Sequence, residues 1–265
     1  MNAPRHAFVV PAYGDSPFLD DCLRSLREQT MQGSEIVVTT STPSLFVAAA
    51  AARHAAALVI NPERAGIATD WNFALTATRA DLVTLAHQDD VYAPSYVEAI
   101  IGVLLRHPAT LIAFCDAAEH TPDGPRAASM NVRVKRWLCA RAFGSREYLD
   151  TQKDKQRLLA WGNPVNCPSV VFDRRKLAQF RFDPGFASNL DWDAWERLAR
   201  IEGGFAYLRM PLVSHRVHPG SETTALIADH RRSTEDRRMF DRFWPRPAAA
   251  VIALIYRLGY LGNRL

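Results

Sequence analysis

Short apolar runs and amphipathic helical stretches alternate from Ala7 to Phe114, and this alternation constrains the fold more than any other feature of the chain. Ala7–Val10 ends at Pro11 and reads as a buried strand; Leu19, Cys22, Leu23 and Leu26 then recur at helical spacing. Glu35–Val38 reads as a second strand, Thr42-Pro43 as the opening of an Ala-rich helix through about Ala57, and Leu58–Ile60 as a third strand. Asp70–Thr78 is expected to be helical, with Trp71, Ala74, Leu75 and Thr78 on one side. Leu82–Ala86 is a fourth strand running into His87-Gln88-Asp89-Asp90; Pro94 starts a helix with an apolar stripe from Val97 to Leu105, and Leu111–Phe114 is a fifth strand. Strands that alternate with helices pair in parallel, giving a doubly wound α/β sheet covered on both faces. Ligands bind such sheets beyond the carboxyl ends of the strands, here after Val10, Val38, Ile60 and Ala86.

The second half is less regular. From about His120 to Trp161 charge rises and the pattern weakens, which reads as an irregular or helical insertion. Val170–Phe172 reads as a strand, Asp191–Glu202 as a helix, Phe205–Leu208 as a strand and Thr223–Phe243 as a polar, Arg-rich helix. One domain over 1–222 is expected, divided into halves of about 1–118 and 119–222, followed by a basic helical extension over 223–265.

Composition excludes several classes. The 265 residues are 48% hydrophobic, too apolar for a disordered chain. A net charge of +4 is small for a nucleic-acid binder, so no nucleic-acid partner is expected. Cys22, Cys115, Cys139 and Cys167 are far apart and form no CxxC pair, which argues for reduced thiols and against zinc. Met1–His6 carries no apolar signal region, and Arg257 interrupts Ala248–Leu261, the nearest approach to a spanning stretch. The expected location is the cytoplasm. Arginines gather at the carboxyl end, from Arg231 and Arg232 to Arg257 and Arg264. With Trp244, Ile252, Leu254, Ile255, Tyr256 and Tyr260 they suit a helix resting on the inner face of the plasma membrane. They equally suit a helix packed on the domain or on a second copy in a homodimer.

Four segments carry chemistry. Gln88-Asp89-Asp90 places two carboxylates at a strand's end, a costly pairing unless a cation sits nearby. Mg2+ or Mn2+ bound to a substrate diphosphate supplies that charge, whereas a plain polar loop also accounts for the residues. Asp191, at the start of a helix with Trp192, Trp195 and Leu198 on its buried side, suits a general base kept ionised by the helix dipole. Ser188-x-x-Asp191 also fits a capping box. His215-Arg216-Val217-His218 suits a metal and a phosphate, or a solvated turn. Asn163 and Asn166, in Gly162-Asn163-Pro164-Val165-Asn166-Cys167-Pro168-Ser169, suit sugar hydroxyls, or a tight connection.

In this order the segments resemble family 2 of the glycosyltransferases, the inverting group with a GT-A fold, over roughly Ala7 to Ser221. Val9-Val10-Pro11-Ala12-Tyr13 is similar to the family's first strand and Pro-x-Tyr turn, and Glu35–Val38 to its second strand. Asn61 to Asn72 resembles the stretch beside the nucleotide, and Gln88-Asp89-Asp90 the DxD-type metal motif. Asp191-Trp192-Asp193-x-Trp195 resembles the acidic motif that holds the base, and His215-Arg216-Val217-His218 the late Arg-x-His element. The resemblance implies a GT-A-like, Rossmann-related, mostly parallel sheet. It implies transfer of a sugar from a UDP- or dTDP-linked donor to a glycan or lipid-linked hydroxyl, with Mn2+ or Mg2+, in bacterial surface-polysaccharide synthesis such as O-antigen or capsule.

It also assigns roles. Asp191 is the base, and Asp90 and His218 are metal ligands. Pro11, Tyr13, Thr39, Thr40, Asn72, Gln88, Asp89 and Arg216 line the nucleotide sugar, and Asn163, Asn166, Trp192 and Asp193 the acceptor side. The chain departs from the family where Thr39-Thr40-Ser41 stands for an acidic pair after the second strand, Gly14 for an Asn, Leu190 for a Glu, and His87 for an acid. A sugar-phosphate nucleotidyltransferase would need a Gly-rich basic loop in place of Pro11–Asp15, and a dehydrogenase a GxGxxG after the first strand. A non-catalytic nucleotide-sugar binder would have no use for both Asp90 and Asp191.

Overall fold

The computed structural model describes residues 4–121, 124–126, 129–216 and 231–261. Its first half follows the alternation: β1 (His6–Ala12), α1 (Leu19–Arg27), β2 (Glu35–Thr40), α2 (Leu45–Arg53), β3 (Ala57–Ile60), α3 (Ile67–Thr76), β4 (Leu82–Leu85), β5 (Val91–Tyr92), α4 (Tyr96–Arg106) and β6 (Thr110–Thr121). Then come β7 (Gly124–Arg126), α5 (Met130–Phe143), β8 (Tyr148–Leu149), α6 (Gln152–Leu159), a 3-10 turn (Cys167–Ser169), β9 (Val171–Asp173), α7 (Leu190–Ala199), β10 (Gly204–Arg216), α8 (Arg231–Phe243) and α9 (Arg246–Leu261).

The sheet runs β3-β2-β1-β4-β9-β6-β10-β5, with β7 on β6 and β8 on β10. β1 pairs in parallel with β2 (Val9 opposite Val37) and β4 (Val9 opposite Leu85), while β9 is antiparallel to β4 and β6. The first strands are apolar throughout because both faces are covered. Ala7, Val9, Val83 and Leu85 face the layer containing α3 and α7, and Phe8, Val10, Val38 and Leu82 face α1, α2 and α4.

Two elements exceed what the periodicity shows. β10 continues past Leu208 to Arg216 because Pro211 sits at a bulge in its register with β6, where a missing N–H costs no ladder bond. That extension carries His215 and Arg216 to the end of the sheet beside β5. The stretch from His120 to Trp161 holds α5 and α6, and α5 buries Val132, Leu138, Cys139, Ala142 and Phe143. The carboxyl-terminal helices join the main core: Met239, Phe240 and Ala249 are buried in the same layer as Trp192. Gly162 (φ +143°) lets α9 approach closely, since a Cβ there would lie 2.9 Å from the Tyr256 ring. The 222/223 boundary lies outside the described residues.

Candidate active site

β4 delivers His87, Asp89 and Asp90 to one point, where their ligand atoms all lie within 4.8 Å of one another. Asp90 is fully buried. Its Oδ1 accepts from the Arg216 backbone N–H and pairs with His215 Nδ1, both at 3.0 Å. Its Oδ2 and His87 Nε2 are buried without a hydrogen-bond partner among the described residues. Buried polar atoms of this kind are rare unless a ligand completes them. One carboxylate oxygen and one imidazole nitrogen, orphaned beside a second carboxylate, fit a divalent cation of intermediate hardness. Burial pushes the Asp90 carboxyl up, but His215, His87 and the Arg216 N–H together hold it below the usual range. The Asp90 carboxylate in turn raises His215 to about 9.

The cluster is braced by β1 and α1. Gln88 exchanges two hydrogen bonds with the Tyr13 backbone (3.1 and 3.2 Å), so it fixes the turn rather than facing a ligand. Arg216 donates from Nε to the Asp89 carbonyl at 3.2 Å, and its guanidinium lies 4.5 Å over the Phe18 ring. Pro11 lies opposite Thr39 in the β1–β2 register. Tyr13 is 52% exposed, with Arg64 stacked 5.4 Å over the ring and donating to its hydroxyl at 2.8 Å.

Thr39 and Thr40 are both buried, and Thr40 Oγ1 accepts from the Thr42 N–H at 3.0 Å. The carboxylate at this edge is Asp70 from α3, held by Ser41 Oγ (3.0 Å) and Asn61 Nδ2 (2.8 Å). It acts electrostatically on the exposed Arg64, placing it near the Tyr13 turn. The Asn72 amide exchanges two hydrogen bonds with the Phe182 backbone (2.9 and 2.7 Å) and works as a clasp.

Asp191 stands in the first turn of α7, half-buried. The expected capping box does not form: the Ser188 hydroxyl is unpaired among the described residues. Glu235 of α8 caps the helix instead, accepting from the backbone N–H groups of Ala187, Ser188 and Asn189, each at 2.8 Å. Asp191 Oδ1 accepts from the Trp192 N–H and Oδ2 from Asn163 Nδ2, each at 2.7 Å. Burial pushes its carboxyl up, against the pull of Lys135, the Trp192 N–H, Arg232 and Asn163. Lys135 donates to Asn166 Oδ1 at 2.6 Å, and burial lowers its ammonium while Asp191 raises it.

Asn163 and Asn166 therefore position Asp191 and Lys135. Trp192 and Asp193 are both fully buried. Trp192 is sealed against Phe240, Phe243 and Tyr256, and the buried Asp193 pairs with Arg197 and Arg242 (2.8 and 2.7 Å). His218 lies outside the described residues. Burial raises the Cys167 thiol, and the Asp191 and Asp90 charges raise it further; Lys135 acts electrostatically on both Asp191 and His215. His87, Asp70 and Lys135 carry no role in the sequence reading, whereas His215 stands in the segment suited to a metal and a phosphate. His87 adjoins the acidic pair and His215 the Arg216 motif, whereas nothing in the chain around Lys135 marks it.

A mostly parallel α/β sheet with an acidic cluster at a strand end and a carboxylate in the first turn of a later helix is the GT-A architecture. The family model described as "Glycosyl transferase family 2" matches residues 7–182, two-thirds of the chain. The chain belongs to that family and is a glycosyltransferase. The amylovoran biosynthesis glycosyltransferase AmsE of Erwinia amylovora is 24% identical over 209 residues, covering 77% of this chain and 71% of that protein. The mannosyltransferase PcManGT from Pyrobaculum calidifontis, solved with GDP-Man and Mn2+, superposes with a TM-score of 0.67 at 18% identity, covering 97% of this chain and 70% of that one. S. aureus TarS 1–349, solved with UDP-GlcNAc, gives a TM-score of 0.63 at 12% identity, covering 94% and 70%. These structural likenesses establish the shared fold.

Proposed function

We propose that the protein transfers a sugar from a nucleoside diphosphate sugar to the hydroxyl of a glycan or lipid-linked acceptor, with inversion, in surface-polysaccharide synthesis. The observation that carries this is the unlike environment of two carboxylates: Asp90, buried with an orphaned oxygen in the His87–Asp89–Asp90 cluster, and Asp191, whose carboxyl burial pushes up. Environments that push two carboxylates apart separate a binding role from a proton-transfer role. Asp90 Oδ2, Asp89 and His87 would hold Mn2+ or Mg2+, which supplies charge neutralisation at the departing diphosphate. Arg216, anchored to the Asp89 carbonyl, adds positive charge on the same side.

Asp191 takes the acceptor proton, and its raised pKa brings it nearer the operating pH, where a general base is most efficient. Asn163 keeps one carboxylate oxygen oriented, and Lys135 favours the ionised form. At the base end, Tyr13 offers an exposed ring for stacking and Asp70 an acceptor for a ring N–H, taking over from the acid missing at Thr39-Thr40. UDP-GlcNAc in TarS and GDP-Man with Mn2+ in PcManGT support a nucleotide-sugar donor, and the name of AmsE supports polysaccharide synthesis.

Asp191→Asn tests the reading in a donor panel with a soluble acceptor. Turnover is expected to fall about 10²–10⁴-fold while donor affinity by calorimetry holds. Wild-type turnover in that variant would remove Asp191 from the chemistry.

A further inference from the structure

Helices α5 and α9 contain no Asp or Glu, yet expose Arg133 and Arg141 on one and Arg246 and Arg257 on the other. Each also turns apolar side chains outward. On α5, Met130, Val134 and Trp137 recur at spacings of four and three, with Trp137 59% exposed. On α9, Ala249, Ile252, Ala253 and Tyr256 pack on the core, while Val251, Leu254 (61% exposed) and Ile255 (63%) face away from it.

The two helices adjoin through an aromatic-cationic chain. The Arg141 guanidinium lies 5.7 Å from the Trp137 ring and 5.5 Å from the Trp161 ring, and Trp161 meets Trp244 edge-on at 4.7 Å, two residues before α9. We infer that α5, Trp161 and α9 form a single membrane-docking surface that rests on anionic lipid.

Three features select that occupant. Tryptophan at the rim, aliphatic side chains between, and cations without acids are the composition of interfacial helices. The charge complements an anionic headgroup layer and opposes a second copy, since a two-fold contact would set these acid-free helices against themselves. No helix among the described residues is long and apolar enough to cross a membrane, so the surface lies on the bilayer. Trp161 is followed by Gly162, against which Tyr256 packs, and by Asn163, which holds Asp191. Resting on the transfer reading above, this border sets the acceptor side of the site against the lipid, where a lipid-linked glycan hydroxyl arrives.

The test is co-sedimentation of the full chain with vesicles of phosphatidylcholine alone or mixed with phosphatidylglycerol. It compares the wild type, the double variant Leu254→Glu/Ile255→Glu and Trp137→Ala. All three positions are exposed, and equal melting temperatures confirm intact folding. The wild type is expected to bind phosphatidylglycerol vesicles, roughly tenfold or more weaker without the anionic lipid, with salt or in either variant. Turnover on a soluble acceptor stays at the wild-type level in both variants, so membrane binding and transfer fail or hold separately. Absent binding to anionic vesicles, or variants that bind like the wild type, overturns the inference. Loss of a wild-type dimer in the variants, seen by light scattering without vesicle binding, assigns the face to a second copy instead.

Discussion

His6 shows how one side chain sets the protein's acid sensitivity. It sits in β1 with Nδ1 on Ser34 Oγ and Nε2 on Thr84 Oγ1, each at 2.9 Å, and burial holds the ring down at about 3 against an ordinary 6.5. Between those values the unfolded chain binds a proton that the folded protein refuses, so stability rises with pH through this window. The contribution is complete above 6.5 and is lost as pH falls toward 3. Urea unfolding is expected to show a loss of about 2 kcal/mol from this group between pH 7 and pH 5, and His6→Gln to flatten that slope. An unchanged slope in the variant would place the acid sensitivity elsewhere. At the same scale, Asp90, Asp191 and Arg216 were legible because acids at a strand end or helix start, and a cation near paired histidines, are chemically conspicuous. Lys135 was not legible: it reads as one more cation on a basic helix until folding places it against Asn166. Trp192 and Asp193 adjoin the base in sequence, but on a helix they turn into the core and into the arginine pair.

At the scale of elements, α3 carries two polar side chains within one turn that make unlike contacts. Asp70 is held by Ser41 and Asn61 at the end proposed for the nucleotide, and Asn72 clasps the Phe182 backbone. The two separate by substitution. Asn72→Ala leaves a backbone N–H and carbonyl unpaired, lowering stability by about 2–4 kcal/mol with nucleotide affinity unchanged. Asp70→Asn does the reverse, weakening nucleotide binding with little change in melting temperature. Denaturation and calorimetry on both variants check this, and coupled losses in each would show that α3 acts as one structural unit. The strands β1 to β4 were legible because each apolar run is bounded by turn residues. Most of β10 was not, because Arg209-Met210-Pro211 reads as a strand end, and only the bulged register with β6 shows that the chain continues. His215 owes its place beside Asp90 to that hidden half of the strand. α5 was obscured by its own cations, which interrupt its apolar periodicity.

Across the whole molecule, the carboxyl-terminal helices hold α7, the helix that carries Asp191, in place. Glu235 caps α7 from outside, Asn189 donates to Asp236 at 2.8 Å, and Arg242 bridges Asp193 and Glu196. Glu235→Ala strips three backbone donors of their acceptor at the turn that carries Asp191. It is expected to cost about 2–3 kcal/mol and to lower kcat more than donor affinity, read by thermal melting and steady-state kinetics. A variant with wild-type kcat would detach α8 from catalysis. The central claim is that the end of β4 is a cation-dependent donor site. Its most direct measurement is calorimetric titration of the nucleoside diphosphate sugar with Mn2+ and with chelator, on the wild type and Asp90→Asn. The account predicts binding that needs Mn2+ in the wild type and disappears in the variant. Equal affinity with chelator present, or an Asp90→Asn protein that binds as tightly as the wild type, would contradict it.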